Sequence, residues 1–245
     1  MRLQLQPAYL LHRRAYRDSS ELLELLTAEH GRLGAVARGV TRKRSGGALG
    51  ALLQPFRPLL VSLSGRGELL TVTAVEAGGD LGVLRGDGLL CGFYLNEVLL
   101  RVMQRFESHA QVFVAYGRAL EELARAESAD DLALALRGCE LALIEELGYA
   151  IDFRETCDTA SEVREGARYR LISGDGLVLD GSESSSTTES FRGEDLLAVA
   201  DGRLAEANAM ELKRLMRLLL ASHLGPQPLR SQEMFRALRV GSRRS

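Results

Sequence analysis

Apolar and polar residues alternate along the first 75 residues in short runs that turn signals separate. An alternation with a period of two is typical of half-buried β-strands. Residues 28–31 and 65–67 have the length and glycine content of hairpin turns. The predicted strands are Leu3–Arg14, Glu21–Thr27, Arg32–Arg38, Leu52–Ser62 and Glu68–Val75. Five short strands at this spacing fit a small closed β-barrel of the OB type.

In two of these strands, turn signals and prolines add to the evidence from alternation. Residues 19–30 fit a short amphipathic helix as well as a strand, and the turn signal that follows Thr27 favours the strand. In the fourth run, Pro55 and Pro58 remove two backbone donors. A proline cannot donate to a ladder, so this strand is predicted to lie at a sheet edge or to carry a bulge.

After Gly78-Gly79 the apolar spacing changes to that of amphipathic helices. Asp130 or Asp131 is predicted to be the N-cap of the third helix, and Gly148 to end it. The predicted helices are Leu89–Phe106, Ala110–Ala126, Asp130–Leu147, Glu206–Leu224 and Ser231–Leu238. The pattern therefore predicts an α+β chain with a barrel domain at 1–79 and a mostly helical domain at 80–245.

The region 150–205 has little periodicity beyond two possible short strands, Tyr169–Ile172 and Gly176–Leu179. The run 182–190 consists of Ser, Thr and Glu and predicts a loop. We therefore expect an irregular insert with short strands inside the helical domain.

The net charge of −2 conceals a strong asymmetry. Residues 1–75 contain eleven Lys and Arg against five Asp and Glu, and residues 211–245 contain eight against two. Both ends therefore carry +6, which leaves −14 for residues 76–210. Such a chain is expected to bind an anion through its ends and to repel it with its centre.

The chain lacks the common signatures of catalysis, of metal binding and of membrane insertion. No apolar run approaches the ~20 residues that span a bilayer, and the first residues are polar, so we expect a cytoplasmic protein without membrane contact. Cys91, Cys139 and Cys157 are not at metal-ligand spacing, and the four histidines are isolated. Phosphate-loop and nucleophile-elbow motifs are absent. We expect neither an enzyme nor a protein that holds a metal or cofactor.

A cluster of cations lies between the third and fourth predicted strands. Arg42, Lys43 and Arg44 fall in a loop that Ser45-Gly46-Gly47 closes. Cations held between fixed strands are suited to an irregular polyanion such as a nucleic-acid backbone. Aromatic residues are few here, so phosphate contacts should dominate over stacking. The predicted contact residues are Arg13, Arg14, Arg32, Arg38, Arg42, Lys43 and Arg44.

Several motifs, in order along nearly the whole chain, resemble the bacterial DNA repair and recombination mediator family RecO. They are Ala8-Tyr-Leu-Leu-His-Arg-Arg14, Leu53-Gln-Pro-Phe-Arg-Pro-Leu-Leu60, Gly92-Phe-Tyr-Leu-Asn-Glu97, Glu140-Leu-Ala-Leu-Ile-Glu-Glu-Leu-Gly-Tyr149 and Pro228-Leu-Arg-Ser-Gln-Glu-Met-Phe-Arg236. The resemblance implies an OB domain followed by a helical domain, and a basic OB loop at 38–44. It also implies a non-catalytic protein that binds single- and double-stranded DNA and anneals complementary strands.

The resemblance implies protein partners as well. RecO-like proteins associate with RecR and engage the acidic C-terminal tail of the single-stranded-DNA-binding protein, so that RecA can load. By resemblance, Arg137, Cys139 and Leu143 would contact that tail, although Gly138 and Cys139 stand where an Arg-Arg-aromatic pattern is more usual. Some members carry a four-cysteine zinc module, but Cys157 is alone in that region, so no zinc is predicted here.

Two other functions remain open from the residues. One is a protein adaptor whose acidic helical body is the binding surface and whose basic ends serve solubility. The other is an RNA-binding OB protein, which would differ only in its ligand.

Overall fold

Five strands close into a barrel in the N-terminal part of the chain. The computed structural model describes residues 1–16, 19–40, 46–80, 82–172, 174–181 and 190–235. The strands are β1 (Arg2–Tyr16), β2 (Ser20–Thr27), β3 (Gly31–Ala37), β4 (Pro58–Ser64) and β5 (Leu69–Ala77). Their order around the barrel is β1-β2-β3-β5-β4, with a parallel β3–β5 pair and antiparallel neighbours elsewhere. Helices follow the barrel, which confirms the predicted α+β class with an OB-type barrel.

The barrel closes around alternate residues of its strands. Leu23 and Leu25 of β2 and Leu33 and Ala35 of β3 are fully buried in this core. Burying one leucine side chain contributes roughly 1.5–3 kcal/mol. A shift of the pairing by one residue would turn these side chains outward, so the core determines which residues of each strand face out.

The fourth predicted strand is only partly correct. Residues up to Leu52 form a short helix, α1 (Gly46–Leu52), and β4 begins only at Pro58. Pro58 is tolerated because it is the first residue of the strand. The predicted edge position is wrong, since β4 pairs with both β1 and β5 in the closed barrel. The predicted irregularity is present, because the β4–β5 register shifts between Ser62 and Leu63.

A bulge in β1 attaches two helices to the barrel. These are α2 (Gly86–Val102) and α3 (Ala110–Arg125), and the β1–β2 register shifts between Leu10 and His12. The Leu11 carbonyl accepts a hydrogen bond from Asn96 Nδ2 at 2.8 Å, and Asn96 Oδ1 accepts one from the Tyr116 hydroxyl at 2.5 Å. Asn96 and Tyr116 are both buried, so α2, α3 and β1 are joined by a satisfied polar network.

Tyr9 extends the same attachment. Its ring centroid lies 5.1 Å from those of Phe113 and Tyr116. Burial raises the pKa of the Tyr9 hydroxyl, and the negative charge of Glu121 raises it further. The outer surface of β1 near Tyr9 is therefore covered by helices.

The chain divides into two compact units. The barrel unit comprises Met1–Glu127 with Pro226–Ser245, and the helical unit comprises Ser128–Gly225. The boundary that the apolar spacing predicts, at residues 79–80, lies just after β5. The barrel unit also includes α2 and α3, because Asn96, Tyr116 and Tyr9 bind them to β1.

The helical unit combines three helices with a small sheet. The helices are α4 (Ala129–Glu146), α5 (Gly193–Ala200) and α6 (Ala209–Leu224), and the sheet has the order β7-β6-β8, with β6 (Arg168–Ile172), β7 (Gly176–Leu179) and β8 (Ser190–Arg192). The two predicted short strands are confirmed as β6 and β7. The pattern missed β8 and α5, since a three-residue strand and an eight-residue helix are too short to show a period. Of the predicted loop at 182–190, only Ser190 lies among the described residues, and it begins β8.

The start of α4 corrects the predicted N-cap. Ser128 is the cap, and its hydroxyl accepts from the Asp131 backbone N–H at 3.1 Å. The Asp131 carboxylate accepts from the Ser128 backbone N–H at 2.9 Å. Neither Asp130 nor Asp131 is the cap, because this reciprocal capping box places Asp131 three residues inside the helix.

Residues 226–235 belong to the barrel unit, where Glu97 and Arg101 of α2 bind them. Arg101 donates to the carbonyls of Gln227 and Pro228 at 2.6 and 2.7 Å. Glu97 accepts from the backbone N–H groups of Arg230 and Ser231 at 3.0 and 2.9 Å, at the start of the helical residues 230–235. Burial opposes ionisation of Glu97, but the hydrogen bonds from Ser231 and Arg230 outweigh it, so its pKa lies below the ordinary value.

Replacing Glu97 by glutamine should loosen this segment at neutral pH. Hydrogen bonds to a charged acceptor contribute about 1.5–3 kcal/mol each, so we expect Glu97→Gln to lower local stability by about 2 kcal/mol. Because the folded pKa is lowered, the wild-type advantage is complete above about pH 4.5 and disappears as the pH falls through the folded pKa. Amide hydrogen exchange of Gln232 and Glu233, which both donate to the Leu229 carbonyl, measures it.

The exposed pair Arg118–Glu122 provides the control for this measurement. Glu122→Gln removes the same charge from the surface of α3 and should leave exchange at 232 and 233 unchanged. Equal protection of these amides in Glu97→Gln and wild type at pH 7 would contradict the assignment.

Candidate nucleic-acid interface

The outer face of β1, β2 and β3 is the surface on which the predicted contact residues can be compared. Pairing joins Arg14 with Leu22 and Leu22 with Val36. The adjacent row joins Arg13 with Leu23 and Leu23 with Ala35, and the last two are core residues. Because successive residues of a strand face opposite sides, the row of Arg14 faces outward. We call this surface, formed by Arg14, Tyr16, Ser20, Leu22 and Val36 together with Arg38 directly after the end of β3, the outer face.

Arg14 and Arg38 are the two predicted contact residues that lie exposed on the outer face. Arg14 is near the end of β1, and Arg38 follows Ala37, the last residue of β3. Neither forms an ion pair with a carboxylate among the described parts of the chain. Within the described residues, their guanidinium groups are therefore accessible to an anion.

Arg13 belongs to the inward row, at the end of the barrel. Its Nη1 donates to the Leu53 carbonyl at 3.0 Å and lies 3.8 Å from a carboxylate oxygen of Glu21. These contacts join β1 to the residue that follows α1. The structure thus gives Arg13 an internal contact, with about a third of its side chain exposed.

Arg32 is occupied within the protein. Its Nε donates to Glu24 at 2.9 Å, and its Nη1 donates to the carbonyls of Leu100 and Met103 at 2.6 and 3.1 Å. A cation at the last carbonyls of a helix satisfies groups that the helix leaves unpaired. Arg32 therefore binds the C-terminal end of α2 to the barrel.

Arg105 is a cation of this surface that sequence reasoning missed. It is hydrogen-bonded to Glu24, which thus accepts from two arginines, and its backbone forms a parallel bridge with Arg32. A Cβ atom added to Gly34 would lie 3.4 Å from the Arg105 guanidinium, so the side chain lies over β3 beside the outer face. Arg105 is about 70 residues away from β3 in the chain, and nothing local to it signals this position.

The predicted loop cations Arg42, Lys43 and Arg44 lie outside the described residues. The described chain stops at Val40 after β3 and resumes with α1. On both sides of this gap the chain belongs to the barrel unit.

The residues predicted to contact an acidic tail are buried in the helical unit. Arg137, Cys139 and Leu143 of α4 are 8%, 3% and 1% exposed. Arg137 Nη1 lies 3.0 Å from Glu140 Oε2, and this carboxylate is itself buried. As the structure stands, Arg137 is neutralised from within its own helix.

Other classes of site find no support in the described residues. No group of three or more His, Cys, Asp and Glu side chains in the described ranges could hold a metal ion. A shallow cavity of about 330 Å³ beside the start of β1 is lined by residues such as Leu5, Ser62 and Thr73, without clustered titratable groups. None of the helices in the described chain is long and apolar enough to cross a bilayer.

Comparison with known proteins assigns both parts of the chain to related sequences. The family model for the recombination protein O N terminal matches residues 1–78, and that for the recombination protein O C terminal matches residues 84–233. A DNA repair protein RecO from Nitrosococcus oceani is 43% identical over 240 residues, which cover 98% of this chain and 95% of the relative. One from Methylococcus capsulatus is 44% identical over 238 residues, covering 96% and 94%.

Proposed function

Since this chain belongs to the RecO family of DNA repair proteins, we propose that it is a non-catalytic recombination mediator whose barrel binds DNA mainly through phosphates. The observation that carries the proposal is the pair of exposed arginines, Arg14 and Arg38, on one outward surface of three paired strands. Arg42, Lys43 and Arg44 follow Arg38 closely in the sequence, and we include them among the proposed phosphate contacts. Single- and double-stranded DNA share the phosphate backbone, so both are ligands.

The charge of the two units supports this assignment. The barrel unit contains 21 Lys and Arg against 14 Asp and Glu, whereas the helical unit contains 10 against 19. A polyanion is therefore attracted to the barrel unit and repelled by the helical unit. We also expect the protein to anneal complementary strands. Cations that lie along two DNA backbones reduce the repulsion between the backbones, while base pairing supplies the specificity.

We propose the family's partners for this chain as well: RecR, the acidic tail of the single-stranded-DNA-binding protein and, indirectly, RecA. The tail contact at Arg137, Cys139 and Leu143 rests on the resemblance alone. Arg137 Nη1 is paired with Glu140 inside the helical unit, and its Nε is buried without a hydrogen-bond partner in the described chain, so a tail carboxylate would bind Arg137 beside Glu140 or in its place. The expected location is the cytoplasm, on the nucleoid.

Neutralising the outer face should weaken binding to all nucleic acids alike. For the double variant Arg14→Ala/Arg38→Ala we expect roughly tenfold weaker binding near 0.1 M salt, with the slope of log K against log salt reduced by about 0.7–0.9 for each phosphate that the variant no longer binds. Arg42→Ala/Lys43→Ala/Arg44→Ala should reduce the slope further. Fluorescence anisotropy with unrelated oligonucleotides at several salt concentrations measures both quantities.

Arg66 supplies a matched control. It is exposed in the β4–β5 turn, near the start of β1 and thus at the other end of that strand from Arg14. Arg66→Ala removes the same charge from the barrel and should change neither affinity nor slope appreciably. Unchanged binding of the double and triple variants would refute the proposed interface.

The alternative of a protein adaptor is favoured by the excess of acidic residues in the helical unit. Strand annealing on DNA precoated with single-stranded-DNA-binding protein, with and without its acidic tail, separates the two functions. A mediator anneals the coated strands in a manner that depends on the tail. An adaptor retains its partners after nuclease treatment and shifts no oligonucleotide.

Competition between matched DNA and RNA strands tests the RNA-binding alternative.

A further inference from the structure

We propose that Arg105 is a further phosphate contact of the outer face, and that Glu24 and Gly34 place its guanidinium group there. This inference rests on the nucleic-acid binding proposed above. It extends the interface from three strands to the segment that follows α2, about 70 residues away from β3 in the chain. The ligand is the phosphodiester backbone, which single and double strands share.

The pairing of β2 with β3 places Glu24 and Gly34 on the outward side of the barrel. Gly34 lies two residues before Val36 of the outer face, and residues two apart in a strand face the same side. Gly34 pairs with Glu24 in β2, and Glu24 pairs in β1 with His12, which is exposed. This row lies two strand residues, about 7 Å, from the row that contains Arg14.

The guanidinium group of Arg105 lies flat over this row. A Cβ atom added to Gly34 would lie 3.4 Å from Cζ, 3.4 Å from Nη2 and 3.6 Å from Nη1 of Arg105. Nearly equal distances to three atoms of one plane mean that the face of the group, and not its edge, covers Gly34. The absence of a side chain at residue 34 therefore leaves the space that the guanidinium group fills.

Glu24 holds the Arg105 group in this orientation without neutralising the row. Its Oε1 accepts a hydrogen bond from Arg105 Nη2, and its Oε2 accepts one from Arg32 Nε. Two guanidinium groups share one carboxylate, so the cluster of three side chains keeps a formal charge of +1. A third of the Arg105 side chain, 34%, is exposed. The cluster therefore attracts an anion to the outward side of the barrel.

Arg105 also retains hydrogen-bond donors for such an anion. A guanidinium group has several N–H donors, and the bond to Glu24 takes only one of them. Among the described residues, no other acceptor contacts Arg105. A phosphate can bind the remaining donors while Glu24 stays in place, and a hydrogen bond between two charged groups is stronger than one between neutral groups.

Removing the Arg105 side chain should remove one phosphate contact. For Arg105→Ala we expect roughly threefold weaker binding at ~0.1 M salt, with the slope of log K against log salt reduced by about 0.7–0.9. Arg105→Lys keeps the charge and should keep the slope. Fluorescence anisotropy with single- and double-stranded oligonucleotides measures both quantities, at a temperature where thermal unfolding shows each variant to be folded. A purely structural role of Arg105 would lower stability and leave the slope unchanged.

Two further variants separate a direct contact from a change of the local charge. Arg105→Ala/Glu24→Gln has the net charge of wild type, because one positive and one negative group are removed together. If Arg105 binds phosphate, this variant keeps the lower slope. Gly34→Val retains every charge and places a side chain where the guanidinium group lies, so we expect it to weaken binding about as much as Arg105→Ala does. A folded Gly34→Val protein that binds as wild type does would overturn the placement of Arg105.

The outcomes distinguish this inference from the proposed function. If wild type binds no oligonucleotide, the nucleic-acid proposal itself fails. If Arg14→Ala/Arg38→Ala weakens binding while Arg105→Ala keeps the wild-type slope, only the contact at Arg105 fails. That contact is likewise overturned if Arg105→Ala/Glu24→Gln regains the affinity and the slope of wild type, because Arg105 then only balances the charge of Glu24.

Discussion

Replacing Gly31 by alanine is expected to destabilise the barrel unit by about 4 kcal/mol or more, the range reserved for substitutions with a defined steric cause. Gly31 begins β3 with φ +61°, a conformation that costs a residue with a side chain about 1–2 kcal/mol. A Cβ atom at this position would lie 1.6 Å from the backbone oxygen of Glu107. Backbone cannot rotate away as a side chain can, so the segment after α2 must leave β3.

The substitution Gly31→Ala should also weaken the attachment of α2 to the barrel. The segment after α2 is bound to β3 through the Phe106 backbone N–H, which donates to the Arg32 carbonyl at 3.0 Å. Arg105 in the same segment reaches Glu24. Displacing Glu107 therefore strains both contacts, and we expect α2 to lose part of its attachment to the barrel.

Gly67 is the matched control for this substitution. Its φ of +83° is also positive, but a Cβ atom there would meet nothing within 4 Å. Gly67→Ala should cost only the backbone strain, about 1–2 kcal/mol. Thermal unfolding measures both variants, with about 2–4 °C expected per kcal/mol for a protein of this size. Similar shifts for the two variants would show that the contact with Glu107 does not limit the fold.

Arg32→Leu is expected to reduce stability by about 3 kcal/mol and to affect DNA binding little at a temperature where the variant is folded. Removing one member of a buried ion pair costs about 3–5 kcal/mol when the partner is left uncompensated, and because Glu24 keeps Arg105 and the pair is partly exposed we expect the lower end. The substitution also leaves the carbonyls of Leu100 and Met103 without the Arg32 donor. Both effects act on the junction between β3 and α2.

For Arg14→Ala we expect the opposite combination, unchanged stability and weaker DNA binding. Arg14 is exposed, and surface substitutions usually change stability by less than about 0.5 kcal/mol. It should therefore unfold as wild type does and bind DNA more weakly. Thermal unfolding and anisotropy of the two variants test the contrast. An Arg32→Leu protein that is as stable as wild type but binds DNA weakly would contradict this prediction and would indicate that Arg32 contacts DNA.

The arginines show which contacts a local sequence pattern can predict and which it cannot. The cluster from Arg32 to Arg44 was predicted to contact phosphate because its members are close in sequence. The structure separates two of its members: Arg38 is exposed, and Arg32 binds carbonyls about 70 residues away. Arg105 lies beside the same surface without any signal in its own neighbourhood. Contacts of this kind depend on which distant backbone a side chain meets.

The secondary-structure elements also divide into those that the local pattern predicts correctly and those that it does not. Alternation predicted all five barrel strands, because a barrel with a continuous core requires apolar residues at every second position. It began the fourth strand at Leu52, the last residue of α1, although β4 begins only at Pro58. The N-cap of α4 was misassigned to an aspartate because two neighbouring acids and Ser128 all suit that role.

Periodicity, charge and motif order alone therefore establish the OB-type barrel, the helices that follow it, the basic character of the chain's ends and the resemblance to RecO. These properties depend on local spacing and on composition, which any reader of the chain can count. Only the tertiary structure decides which cations meet solvent, that Tyr9 and Phe56 are covered, and that Arg137 is paired with Glu140. Exposure and pairing are set by groups that folding brings together, so no stretch of sequence contains them.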